Sequence, residues 1–233
     1  MRQHYRVAGL RVEMDSFGRT ELQARPYMVS PAGEADIVIC SERERVKKAL
    51  PNTSEDMCEY LATGSSFYRQ LLNFDGIMLH SSAVVMDERA FLFSADCGTG
   101  KSTHTALWRS VFGEDRAQIL NDDKPALRYE DGFWFAYGTP WSGKTDQSLN
   151  ARFPVAGIAI LERHEKNSIA PIEGKEAVVA VMRQVVRHKD PALKIKQLEL
   201  IDKLLTQVPV WKLKCNMEPE AALVSYEAMS GRK

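Results

Sequence analysis

The stretch that most constrains this chain runs from Phe91 to Thr103 and reads Phe-Leu-Phe-Ser-Ala-Asp-Cys-Gly-Thr-Gly-Lys-Ser-Thr. Its apolar start predicts a buried strand, Gly98-Thr99-Gly100 a tight turn, and Lys101 to about Phe112 a helix. A strand, a glycine-rich turn and a helix in that order gather backbone N–H groups at a helix N-terminus, which suits a chain of phosphates. Lys101 is placed to reach the β and γ phosphates of ATP, and the Ser102 hydroxyl to ligate Mg²⁺. The candidate nucleotide-binding residues are therefore Ser94, Asp96, Cys97, Gly98, Thr99, Gly100, Lys101, Ser102 and Thr103. Gly98 and Gly100 are expected because a Cβ would crowd the nest. The pattern G-x-x-x-x-G-K-[ST] asks for a glycine where this chain has Ala95.

About twenty residues on, at the end of a strand predicted over Ala117 to Leu120, stands Asn121-Asp122-Asp123. Carboxylates there can hold Mg²⁺ beside Ser102 and accept a proton from an attacking hydroxyl. Neighbouring strand residues point to opposite faces, so Asp122 and Asp123 both face the nucleotide only if the chain bends, as Lys124-Pro125 allows. Which of the two is the base stays open, and a plain polar turn is the alternative.

The order Leu79-His80, apolar strand, Ser94-x-x-x-Gly98-x-Gly100-Lys101-Ser102, helix, Asp122-Asp123 resembles the catalytic domain of the HPr kinase/phosphorylase family, over about Asp75 to Glu162. That resemblance implies an α/β P-loop fold shared with the phosphoenolpyruvate carboxykinases. It also implies that Lys101 and Ser102 hold phosphate and metal, that Asp122 or Asp123 activates a serine hydroxyl, and that His80 lies near the transferred phosphate. On its own, a histidine in an apolar strand is more often a hydrogen-bonded core residue. Three departures stand out: Ser81 where the family has Gly, Thr103 where it has Glu, and no glycine-rich Ile-x-Val-Arg segment. The last concerns a segment whose acidic partner the family ties to the reverse, phosphorylase reaction, so the resemblance supports the forward kinase reaction and leaves the reverse one open. In its place Tyr137-Gly138-Thr139-Pro140-Trp141-Ser142-Gly143-Lys144, with the Asn150 region, looks like a smaller related group found near peptide-modifying enzymes, which includes kinases of ribosomally made peptides. Such a loop could carry Lys144 to the γ-phosphate and clamp an acceptor with Trp141.

The expected activity is thus an ATP- and Mg²⁺-dependent serine kinase acting on a peptide or protein. A kinase of a small hydroxyl metabolite such as free serine, or a nucleotide-sensing module without turnover, are the alternatives. The family's members are typically hexameric, which implies a homo-oligomer, although no interface is legible in the chain.

The 233 residues suffice for one core plus a small module. Lys+Arg and Asp+Glu both number 31, which speaks against bulk attraction to nucleic acid or an anionic membrane. No apolar run spans a bilayer and no signal peptide is evident. Cys40, Cys58, Cys97 and Cys215 are scattered, as in a reduced, cytoplasmic protein. Residues 1–74 read as a small β-rich module with a helix capped by Ser54 and weakened at Gly64, a candidate for acceptor docking. Residues 75–233 read as the catalytic domain. Within it Asp131-Gly132 predicts a hairpin turn. Helices are expected over Lys175 to His188 and Leu193 to Val208, and Arg163 to Asn167 reads as a charged hairpin turn.

Overall fold

A computed structural model of the protein describes residues 2–231. The N-terminal part begins with β1 (Gln3–Val7) and β2 (Leu10–Met14), an antiparallel pair turned at Ala8-Gly9. β3 (Ile37–Ile39) joins β2 in parallel. Tyr5, Val7, Leu10, Val12 and Met14 alternate inward onto α3 (Glu55–Leu71), whose N-cap Ser54 Oγ accepts from Met57 N at 3.2 Å. Two further helices, α1 (Gly18–Ala24) and α2 (Arg43–Ala49), stand beside them. Among its described residues the segment thus holds three α-helices beside its three strands, α3 being the one marked by Ser54. α1 has no side-chain cap. α3 is not split at Gly64, because that glycine is a packing position. A Cβ there would lie 2.9 Å from Trp141 Cδ1.

The larger sheet contains β4 (Gly76–Met78), β5 (Ser81–Met86), β6 (Arg89–Ser94), β7 (Gln118–Asn121), β8 (Ala126–Glu130), β9 (Phe133–Tyr137), β10 (Arg152–Arg163), β11 (Ser168–Pro171) and β12 (Val210–Cys215). Its main order is β4-β8-β9-β10-β6-β5-β7, and β12 pairs with both β10 and β11. β10 changes partners along its length. Arg152 to Pro154 run antiparallel to β9, and the rest lies parallel to β6 and β12. Asp131-Gly132 does turn β8 into β9, both residues with positive φ.

Both faces of the sheet are covered, and period-two alternation decides what meets what. Phe91 and Phe93 of β6 pack with Trp108 of α4 (Lys101–Phe112) and with α7 (Glu220–Ser230). Ala90 and Leu92 face the other way, onto Val181 of α5 (Gly174–Met182) and Leu204 of α6 (Pro191–Gln207). A further cluster joins the N-terminal sheet and α3 to Ala126, Tyr137 and Trp141.

Two expectations change. α5 ends at Met182, well short of His188, because Gln184 O accepts from His80 N at 2.8 Å and Val185 bridges Leu79. Extended pairing there displaces the helix that the valine spacing suggested. Nor is Arg163 to Asn167 a hairpin turn, since β12 inserts between β10 and β11.

Candidate active site

The phosphate loop forms as the residue types require, for a reason that differs from the one expected. Gly98 has φ 78° and Gly100 φ 123°, a backbone that side-chain-bearing residues rarely adopt. A Cβ on Gly98 would meet nothing within 4 Å, so conformation rather than crowding by the protein demands glycine. Ala95 is not among the positive-φ residues, which is why the missing first glycine is tolerated. Gly100 is the N-cap of α4 and supplies no side-chain cap, leaving the first-turn N–H groups of the helix available to an anion. Lys101 is buried and its Nζ donates to Ala95 O at 3.0 Å. Burial lowers the Lys101 pKa, and Asp123, Cys97, Asp122 and Asp96 oppose that lowering. Ser102, Thr103, Asp96 and Cys97 are exposed, whereas Ser94 is buried with its hydroxyl donating to His80 O at 2.7 Å.

The two carboxylates meet the loop through a bend made by Asn121. Its Oδ1 accepts from the N–H groups of Asp123 at 3.0 Å and Lys124 at 2.7 Å, an Asx-type turn that ends β7. Beyond the bend the side chains find different partners. Asp122 Oδ1 accepts from Ser82 Oγ at 2.7 Å and Oδ2 from Thr145 Oγ1 at 2.6 Å. Ser82 also contacts Thr105 Oγ1 of α4 at 2.9 Å, so one hydroxyl chain ties β5, Asp122 and the phosphate-loop helix.

Asp123 Oδ1 lies 3.2 Å from His80 Nε2, and its Oδ2 pairs with Lys124 Nζ. Burial alone would raise the Asp123 pKa, but His80 and Lys124 prevail and hold it down at about 2. His80 Nδ1 is 3.3 Å from Gln184 Oε1, and Gln184 Nε2 donates to Asp96 Oδ1 at 3.2 Å. His80 is thus brought to Asp123 and linked to the phosphate loop in one network.

The loop residues divide. Lys144 is exposed, between Gly143, which lies against Asp123, and Thr145, which bonds Asp122. Trp141 is fully buried, stacked on Phe67 with ring centroids 4.9 Å apart, so it is unable to clamp an acceptor as expected. The aromatic surface offered by α3 outweighs exposure of an indole.

Several groups at the site carry no mark of their role in the sequence around them. Arg163 donates to the carbonyls of Gly98 and Thr99 (3.0 Å to Thr99 O), holding the outward carbonyls of the phosphate loop. Nothing local marks that contact, and the same holds for Gln184 and Lys124. Ser82 and Asn121 did leave a signal, as polar residues in segments otherwise built for burial. Beside the loop lies a cavity of about 700 Å³ with apolar walls including Leu107, Leu161 and Met217.

Among the described residues no three His, Cys, Asp or Glu side chains gather to hold a metal by themselves. Hard oxygen donors from one or two carboxylates and a serine do suit Mg²⁺ that completes its shell with phosphate and water.

No known family profile matches the chain, and no curated protein matches it. Among solved structures, the Hpr(Ser) kinase/phosphatase from Coxiella burnetii aligns at 14% identity, with 66% of this chain and 95% of that chain covered and a TM-score of 0.39. So loose a superposition assigns neither the family nor the activity of this chain.

Proposed function

We propose that this protein is an ATP- and Mg²⁺-dependent kinase that transfers the γ-phosphoryl group to a serine-type hydroxyl on a peptide or protein. The observation that carries the reading is the meeting of an uncapped helix N-terminus, Lys101 and the Asp122-Asp123 pair at one point. A site that only bound Mg·ATP would need one carboxylate for the metal, and Asp123, the second, is what a transfer to a hydroxyl adds.

Lys101 leaves the Ala95 carbonyl for the β and γ phosphates, and the N–H groups at the start of α4 take the remaining charge. The apolar cavity beside the loop receives the nucleoside. Mg²⁺, when bound, neutralises charge on the phosphates, and Ser102 with Asp122 would hold it. Asp122 suits that role because only neutral hydroxyls meet its oxygens. Asp123 then orients the acceptor hydroxyl and receives its proton beside His80. A weak base suffices, since in a loose phosphoryl-transfer transition state positioning matters more than proton abstraction. Lys144 is free to approach the γ-phosphate from the loop. The acceptor class rests on the resemblance of the Tyr137 to Lys144 loop to peptide kinases, with residues 1–74 as the docking module.

The test incubates the protein with γ-labelled ATP, Mg²⁺ and serine-containing peptides. Label on serine that disappears in Lys101→Ala and in Asp122→Ala/Asp123→Ala supports the reading. Tight Mg·ATP binding with no label on any acceptor, and no ADP release, refutes it in favour of a sensing module.

A further inference from the structure

The loop from Trp141 to Asp146 touches both carboxylates of the site and is held from behind by the N-terminal helices. Gly143 has φ 75°, and a Cβ on it would lie 2.6 Å from the Cβ of Asp123, so the loop backbone is seated directly on that side chain. Two residues on, Thr145 donates to Asp122 at 2.6 Å. Any sideways shift of this loop therefore moves the support of Asp122 and Asp123 together.

What prevents the shift comes from residues distant in the chain. The indole of Trp141 donates to Thr63 Oγ1 at 3.2 Å, and Gly143 N donates to the Tyr60 hydroxyl at 3.0 Å. From α1, the Arg19 guanidinium donates to both the Gly143 carbonyl and the Asp146 carboxylate, and the Gln23 amide also donates to Asp146. The guanidinium lies over the Tyr60 ring, 4.9 Å from its centroid, which fixes its plane. Asp146 needs the restraint, because at φ 57° it occupies a left-handed backbone that residues with a Cβ seldom adopt.

We propose that Arg19 is a positioning residue for phosphoryl transfer. By clamping Gly143 and Asp146 it seats the loop against Asp122 and Asp123, so the N-terminal segment completes the active site. This role rests on the kinase reading above. It assigns Arg19 no contact with substrate.

The experiment uses the full chain with four measurements: ADP release over a range of Mg·ATP concentrations with serine-containing peptides present, Mg·ATP affinity by calorimetry, melting temperature, and the rate of tryptic cleavage after Lys144, which is exposed within the loop. Arg19→Ala should lower kcat about tenfold while KM and Kd for Mg·ATP change less than about threefold. Cleavage after Lys144 should rise about tenfold as the loop opens more often. Arg19→Lys, which keeps the charge and can donate to both acceptors from one nitrogen, should restore both. Asp146→Ala approaches the clamp from the other side and should reproduce the Arg19→Ala pattern, which secures the test if one variant folds poorly.

Unchanged cleavage after Lys144 overturns the proposal. So does a kcat loss matched by equal losses of nucleotide affinity and melting temperature, which would indicate general destabilisation. If the wild-type protein binds Mg·ATP and, with the peptides present, neither labels an acceptor nor releases ADP, the kinase reading fails. The cleavage comparison then decides on its own whether Arg19 clamps the loop.

Discussion

Glu59 offers a prediction whose size follows from its surroundings. It lies on α3 and is only 1% exposed, with one oxygen accepting from the Thr20 hydroxyl and the other, Oε1, without a partner. Burial raises its pKa from 4.5 to about 7, and the Thr20 hydroxyl and the Phe17 backbone offset only part of that rise. A carboxyl raised in this way favours the folded state in its protonated form. Its contribution is complete below about pH 4.5 and is lost as pH climbs through about 7. The loss corresponds to about 3 kcal/mol at 1.36 kcal/mol per pH unit.

Glu59→Gln stays neutral and keeps an acceptor for Thr20, but buries an amide N–H₂ with no partner, at a cost of about 1 kcal/mol. The variant should therefore be slightly less stable than wild type at pH 4.5 and about 2 kcal/mol more stable at pH 8. Urea unfolding of both proteins at several pH values gives the difference directly. A difference that stays constant across that range, or a variant less stable at pH 8, would refute the assignment of a buried ionising carboxyl at this position.

Two further outcomes are expected. Trp141→Ala removes a fully buried indole stacked on Phe67 and should lose about 3–5 kcal/mol in denaturant unfolding, with Trp141→Phe recovering much of it. Arg163→Ala frees the Gly98 and Thr99 carbonyls at an exposed site. Calorimetry should show Mg·ATP binding weakened about tenfold, equivalent to about 1.4 kcal/mol, with little change in melting temperature.

The features legible in the chain were those written in a short window. Phe91 to Thr103 specified strand, turn and helix through residue type alone, Ser54 marked a helix start, and Asp131-Gly132 a hairpin. Asp122 and Asp123 were identifiable by their distance from the loop, but the bend that turns both toward it belongs to the Asn121 side chain. The failures share a cause. Gln184 leaves its helical pattern to pair with His80, Arg163 reaches back to Gly98, and Trp141 turns into α3. Each depends on a partner far along the chain, so no local period carries the information. α1 was lost for the opposite reason: it is short, and its start carries no cap that would distinguish it from a turn.

The insertion of β12 between β10 and β11 also sets an order of assembly. Until Val210 to Cys215 have been synthesised, one edge of β10 from Ile158 to Arg163 has no strand to pair with. That edge belongs to an apolar strand already able to zip onto β6, and an unpaired edge of this kind is a template for other chains. The strand that carries Arg163 to the phosphate loop is thus open to misassociation during synthesis. Conditions that slow production of the last third of the chain should lower the soluble yield more than the stability of the finished fold would suggest.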